Sequence, residues 1–243
     1  MNINGNSLIY SINKSSHDIG VSSNKISTGD KIYQARLDPS GLSISERLES
    51  IINGTLKEME GEQMNISMNQ TAEGGLSVIN DSMQRMYELG IQSKNGTLTD
   101  SDRGELQKEV TQLKENINHI ANSTEYNRNH VLAYADTEFF NLENLDLTDQ
   151  ANLDLDVIKG AIDKVNSLRS DYGAKINGSE HKINNLVEQH YNSVESYSAI
   201  RDTDIAAEVT KMTSNKIKNE MSITMLKKMN DMNVSNARAL LGI

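Results

Sequence analysis

Between Leu42 and Ile91 the apolar residues Leu48, Ile52, Met59, Ile66, Leu76, Ile79, Met83 and Met86 recur at steps built from threes and fours, and no proline interrupts them. This predicts one amphipathic helix of about fifty residues, ~75 Å long at ~1.5 Å per residue. No small globule covers such a length, so the apolar seam must lie against other long helices. The seam is also poor. Thr55, Glu62, Asn69 and Glu73 stand at heptad positions where a self-sufficient coiled coil carries Leu or Ile, so several neighbours must complete it.

The same bias runs through the whole chain of 243 residues, which has one proline, no tryptophan, no cysteine and only 4% aromatic residues. Long helices packed through aliphatic side chains fit this composition better than any sheet, and the expected fold class is all-α. The absence of cysteine excludes disulfide staples and thiolate metal sites. A net charge of −10, with no block of Lys and Arg, argues against nucleic acid as a partner. The opening Met1-Asn2-Ile3-Asn4-Gly5 has neither a basic nor an apolar leader region, and no window approaches ~18 consecutive apolar residues. Neither a Sec-type signal nor a membrane span is expected.

Upstream of the long helix, Leu8, Ile12, Ser15, Ile19, Ser22 and Ile26 step by four and three, a seam with serine at alternate core places. Four aliphatic side chains cannot offset the backbone entropy of so long a segment, so it is expected to be disordered in the isolated chain and to order against partners. Residues 28 to 41 read as a connector broken by Gly29 and Pro39, with Asp38 and Pro39 resembling an N-cap and a first helical residue. The long helix is expected to stop at Lys94-Asn95-Gly96-Thr97, where Gly96 suits a left-handed cap. A second helix opens with the acidic stretch Asp100 to Glu105 and continues through Leu106, Val110, Leu113, Ile117 and Ile120. Residues 133 to 152 are acidic and irregular, and a small hairpin or exposed loop is expected near 130–152, with Phe139 and Phe140 plugging a bundle end.

Periodicity resumes at Leu153 and runs through Ile158, Ile162, Val165, Tyr172, Ile176, Ile183, Leu186, Tyr197 and Ile200, an antiparallel return matched in length to the first long helix. The last helix carries Ile205, Val209, Met212, Ile217, Met221, Met225, Met229 and Met232, with lysines outside. Methionine adapts to irregular neighbours, which suits contact with several copies of the chain or with a chaperone.

Enzymatic chemistry finds no support. The histidines at 17, 119, 130, 181 and 190 are scattered without a zinc-binding spacing, and no phosphate loop, serine elbow or cysteine nucleophile is present. Asp154/Asp156 and Asp202/Asp204 lack the glycine and terminal glutamate of a calcium loop and read as helix caps. No catalytic residue, metal or cofactor is expected.

Several motifs nonetheless resemble the bacterial flagellins. They are Asn2-Ile3-Asn4 with Ser7-Leu8, Lys25-Ile26-Ser27-Thr28-Gly29, Ser40 to Arg47, Gln84 to Thr97, Leu168 to Ala174 and Ile200 to Glu208, together spanning nearly the whole chain in the family's order. The resemblance implies an inner layer in which the two termini, residues 1–41 and 201–243, pair as an antiparallel coiled coil lining a filament lumen. Residues 42–200 would form an outer helical bundle with its short variable loop at 133–152. Leu8, Ile12, Ile19, Ile26, Val209, Met212, Met221, Met225, Leu226 and Met232 are the expected assembly residues of the terminal coil.

By the same resemblance the chain would polymerise with itself into a helical filament for motility. It would leave the cell through the flagellar type III apparatus with an export chaperone, adding beneath a cap protein beyond the hook-filament junction proteins. Arg85, Leu89, Gln92 and Glu109 match the surface that the flagellin-sensing Toll-like receptor reads, and the same residues suit contact between subunits. Pro39 and Tyr87 depart from the family's usual residues, the usual Pro-Gln pair is missing after Met229, and a bulky outer domain is absent, as in a minimal subunit. A hook-filament junction protein and a non-flagellar coiled-coil adaptor are the alternatives.

Overall fold

The computed structural model describes residues 5–149 and 153–241. Asn2, Ile3 and Asn4 of the opening motif, residues 150–152 of the acidic stretch, and Gly242 with Ile243 lie outside the described residues. Five helices carry the fold: α1 (Gly5–Thr28), α2 (Pro39–Ser93), α3 (Asp100–Ser123), α4 (Leu155–Arg201) and α5 (Ile205–Leu241). A two-stranded hairpin, β1 (Glu125–Tyr126) and β2 (Asn129–His130), follows α3. It sits at the leading edge of the 130–152 window in which the sequence predicts a hairpin. Asn127 and Arg128 both take positive φ, 50° and 66°, as a two-residue turn matched to strand twist requires.

Local chemistry fixes the helix ends. Asp38 Oδ1 accepts from the Gly41 amide at 2.8 Å, so Asp38 is the N-cap of α2 and Pro39 its first residue. Thr99 and Asp102 form a reciprocal capping box at the start of α3. Asp154 accepts from the Asp156 amide and Asp204 from the Ala207 amide, so one carboxylate of each expected pair caps the helix that follows it. The left-handed glycine is Gly29, at φ 75°, just past α1; Gly96 is not left-handed. The end of α2 is held by a residue from the next helix instead. Arg103, almost wholly buried, donates from Nε to the Ser93 carbonyl at 3.2 Å and from an Nη to the Asn95 carbonyl at 3.4 Å. A cation on the last carbonyls of a helix offsets their partial negative charge, which removes the need for a left-handed cap.

The chain divides into two units, one made of Met1–Gly54 with His190–Ile243 and the other of Thr55–Gln189. The second unit holds the continuous apolar core. Leu76, Ile79, Met83, Met86 and Leu89 from α2 meet Val110 and Ile117 from α3 and Ile158, Ala161 and Val165 from α4. Two of the polar places in the α2 seam are paired from α4: Lys182 bonds Glu62 at 2.6 Å and Arg169 bonds Glu73 at 2.7 Å. Antiparallel neighbours thus complete a seam that could not close on itself.

The stretch after the hairpin contributes to this core, where the sequence suggests an exposed loop. Leu132, Ala135, Phe140, Leu142, Leu145, Leu147 and Leu153 are all buried. Their carbonyls and amides need partners, which turns within the stretch and side chains of α3 supply. Lys114 Nζ donates to the carbonyls of Glu143 and Leu145, both at 2.9 Å, Gln107 Oε1 accepts from the Leu147 amide, and Asn118 Oδ1 accepts from the Thr137 amide. The two phenylalanines divide the work. Phe140 is buried, while Phe139 stays exposed, edge-on to Phe140 and Tyr134 with Lys164 above its ring.

Candidate assembly face

In the first unit α1 and α5 pair antiparallel, and the bonds between them keep one register. Ser22 donates to Glu208 at 2.7 Å, Asn219 donates to the Ile12 carbonyl at 3.2 Å, Ser11 and Ser222 hydroxyls stand 3.3 Å apart, and Met229 abuts Gly5. The α5 residues turned toward α1 are therefore Glu208, Met212, Asn215, Asn219, Ser222, Leu226 and Met229, stepping four and three throughout. From α1 come Leu8, Ser15 and Ser22, all buried, with Ile12, Ile19 and Ile26 half-buried at the flanks. Serine and asparagine occupy the centre of this seam.

The apolar stripe of α5 faces the other way. Ile217, Met221 and Met232 are 59%, 56% and 62% exposed, and Ile205, Val209 and Met225 are exposed beside them. Of the expected assembly residues, the structure brings Leu8, Met212 and Leu226 into the α1–α5 seam and sets Ile12, Ile19 and Ile26 at its edge. It places Val209, Met221, Met225 and Met232 outside it. Apolar periodicity favours the face richest in Ile, Val and Met. The structure instead buries the face that presents small and hydrogen-bonding side chains, because serine lets two helices approach and asparagine and glutamate find donors and acceptors across the gap. A polar inner seam with an apolar outer face is a helix pair whose remaining burial must come from elsewhere.

In the second unit Arg85 donates to Glu109 at 2.8 Å and to Glu88 at 3.2 Å, tying α2 to α3 on the surface, and both carboxylates favour its charged form. Gln92 is exposed nearby. Leu89 departs from expectation. It is 1% exposed and belongs to the core, because its position on α2 points toward the facing helices; it cannot be a direct surface contact in this fold. Arg103 is the residue that sequence reading missed, and its only signal was an arginine standing three residues after an acidic N-terminus. Among the described residues no group of three or more His, Asp and Glu could hold a metal ion, and no helix is long and apolar enough to cross a membrane.

Paired chain ends, an outward apolar stripe and a bundle of long helices accompany two matches to known families. Residues 1–137 match the bacterial flagellin N-terminal helical region and residues 155–237 match the bacterial flagellin C-terminal helical region. The chain belongs to the bacterial flagellin family. A flagellin of Halalkalibacterium halodurans is 34% identical over 233 residues, covering 85% of this chain and 86% of that one. A flagellar filament core protein of Brachyspira hyodysenteriae is 29% identical over 88% of this chain and 90% of its own. The crystal structure of Bacillus cereus flagellin is 28% identical, with a TM-score of 0.48, and covers 52% of this chain and 88% of that one. Between the two matched regions lie residues 138–154.

Proposed function

We propose that this flagellar filament subunit polymerises through the outward apolar face of its terminal helix pair. Ile205, Val209, Ile217, Met221, Met225 and Met232 on α5, with exposed Ile9 and Tyr10 on α1, are the contact residues. The observation that carries the reading is the inversion on α5: the polar face is turned inward on α1 and the apolar face is left uncovered. Stacking copies would remove about 1.5–3 kcal/mol worth of apolar surface per fully buried side chain, which the single helix pair cannot do for itself. The terminal pair is the inner layer of the filament and the bundle of α2, α3 and α4 its outer layer.

Before assembly the same stripe needs cover. An export chaperone with a hydrophobic groove fits that need, and the likeness to flagellins supports export through the flagellar type III apparatus with addition beneath a cap protein. Arg85, Gln92 and Glu109 lie on one surface of the bundle. They can serve contact between subunits or recognition by a Toll-like receptor, with Leu89 supporting that surface from beneath. Loss of receptor response with Arg85→Ala but not with a distant surface variant is expected; an unchanged response would reject the receptor role.

The assembly reading is tested by seeded polymerisation followed by electron microscopy. Ile217→Asp with Met221→Asp is expected to give no filament while the thermal unfolding of the α2–α4 bundle stays unchanged, as are truncations removing residues 1–30 or 210–243. Filaments of ordinary length from the double variant would overturn the assignment of this face. Long filaments from the unaltered chain alone distinguish a filament subunit from a junction protein, which would end short stacks, and from an adaptor, which would not polymerise.

A further inference from the structure

The α1–α5 seam does not specify its own register. As paired, Ser11 meets Ser222, Ile12 meets Asn219 and Ser22 meets Glu208, which sets Ser15 across from Asn215. Slide α5 by seven residues, ~10 Å along the helix. Met229 then takes the place of Ser222 beside Ser11, Ser222 takes that of Asn215, and Asn215 that of Glu208. At Ser15 and Ser22 small polar residues again face small polar residues. A heptad repeat of serine and asparagine tolerates this slip, as flat polar seams generally do.

Chain connectivity alone does not forbid the slide. Three residues, 202–204, join α4 to α5, so α5 moves with α4. Ten residues, 29–38, join α1 to α2, and a stretch of that length can span ~33 Å. What stops the slide lies at the root of the pair. Gly29, left-handed past the end of α1, accepts at its carbonyl from the Thr203 amide at 2.8 Å. The Lys31 amide donates to the Arg201 carbonyl at 2.6 Å, and Asp30 pairs with Asp202 in an antiparallel bridge. Arg201 reaches back to the Asp30 carboxylate at 3.3 Å, both side chains being largely shielded from water. Beyond this, Ile32 is the one connector residue that is buried, packed by Gly41.

We propose that the Asp30–Arg201 clasp, with the backbone bonds of Gly29 and Lys31 to the α4–α5 junction, is the positioning device that sets the register of the terminal helix pair. The two chain ends are aligned from their root, and the seam only follows. Register then decides which α5 residues extend past α1 and which part of the apolar stripe each neighbouring copy meets.

The chain has no cysteine, so introduced pairs report register cleanly. The full-length chain carries either Ser11→Cys with Ser222→Cys, the native register, or Ser11→Cys with Met229→Cys, the slipped one. Both are oxidised in the soluble and the filament fractions. In the unaltered background only the native pair is expected to form a disulfide in quantity. Asp30→Ala, Arg201→Ala and Lys31→Pro should each raise the slipped-to-native ratio about tenfold, the size expected for losing one charge-assisted or buried hydrogen bond. The exchange Asp30→Arg with Arg201→Asp should restore the native ratio, which a merely structural role for either residue would not do. Ile32→Ala, which loosens packing and leaves the clasp intact, should keep it. The proposal is overturned if the ratio stays native in all three clasp variants, if the charge exchange does not rescue it, or if Ile32→Ala shifts it as much as Asp30→Ala. Because the soluble fraction is read as well, a variant that fails to polymerise still reports its register.

Discussion

Replacing one polar layer of the terminal helix pair by leucine should convert it from a pair that leans on its neighbours into one that stands alone. Ser15 and Asn215 are both buried and lie across from each other in the observed register. Burying two leucine side chains in their place is worth ~1.5–3 kcal/mol each, ~3–6 in total. Refitting larger side chains costs roughly 1–3 kcal/mol. The net gain, about 2.5 kcal/mol at the midpoints of those ranges, corresponds to a slowing of amide exchange by ~70-fold wherever exchange proceeds by opening of the pair. The assay is hydrogen exchange of the dilute, unassembled full-length chain, read on peptides from residues 5–28 and 205–229. The unaltered chain should exchange those peptides rapidly and the α2–α4 bundle slowly. Ser15→Leu with Asn215→Leu should protect the terminal peptides only, and Ile217→Leu on the outer face should leave them unchanged. Terminal peptides already as protected as the bundle in the unaltered chain would refute the reasoning, and so would a double variant that exchanges at the original rate.

Other outcomes follow from the bundle. Arg103→Ala removes a buried cation from the last carbonyls of α2 and should destabilise the bundle by about 2–3 kcal/mol in chemical denaturation, with Arg103→Lys recovering only part, since lysine cannot span both carbonyls. Gly75→Ala places a Cβ 2.6 Å from Leu132 Cδ1 and 2.8 Å from Thr124 Oγ1, and should cost ~1–3 kcal/mol by overpacking, measured as a lowered thermal midpoint. Glu62, bonded first by Lys182, Asp102, bonded first by the Thr99 hydroxyl, and Asp146, bonded first by the Thr148 hydroxyl, are all held below their ordinary carboxylate values of 4.5, 3.8 and 3.8. A carboxylate with a depressed native pKa adds stability that is complete above its unfolded value and disappears as pH falls through the native one. Stability should therefore decline below about pH 4. Asp102→Asn should flatten that decline in denaturation curves recorded across the acid range, and an unaltered slope would reject the assignment.

The helices were legible because their cause is local. Steps of three and four, Asp38 before Pro39, and the acidic start of α3 at Asp100 are all statements about neighbours along the chain, and hydrogen bonds within a helix answer to nothing else. The stretch 131–149 was not legible, since its leucines follow no period. They are buried because Lys114, Gln107 and Asn118, distant in sequence, bond the backbone between them. The same holds for Arg103, whose role exists only once α3 turns back beside the end of α2.

Sequence by itself determined that this chain makes long helices, roughly where each begins, that antiparallel neighbours must complete the α2 seam, and, through its motifs, that it belongs with the flagellins. Only the tertiary structure decided which face of a helix is inside. On α5 the periodic pattern offers two stripes, one apolar at Ile217 and Met221 and one polar at Asn215 and Ser222, and hydrophobicity alone selects the first. The structure selects the second, because α1 meets α5 with serines that need close approach and hydrogen-bond partners, and the clasp at Asp30 and Arg201 has already fixed how the two helices face each other. Periodicity records how strongly a face can be buried; which partner buries it is a property of the assembled chain.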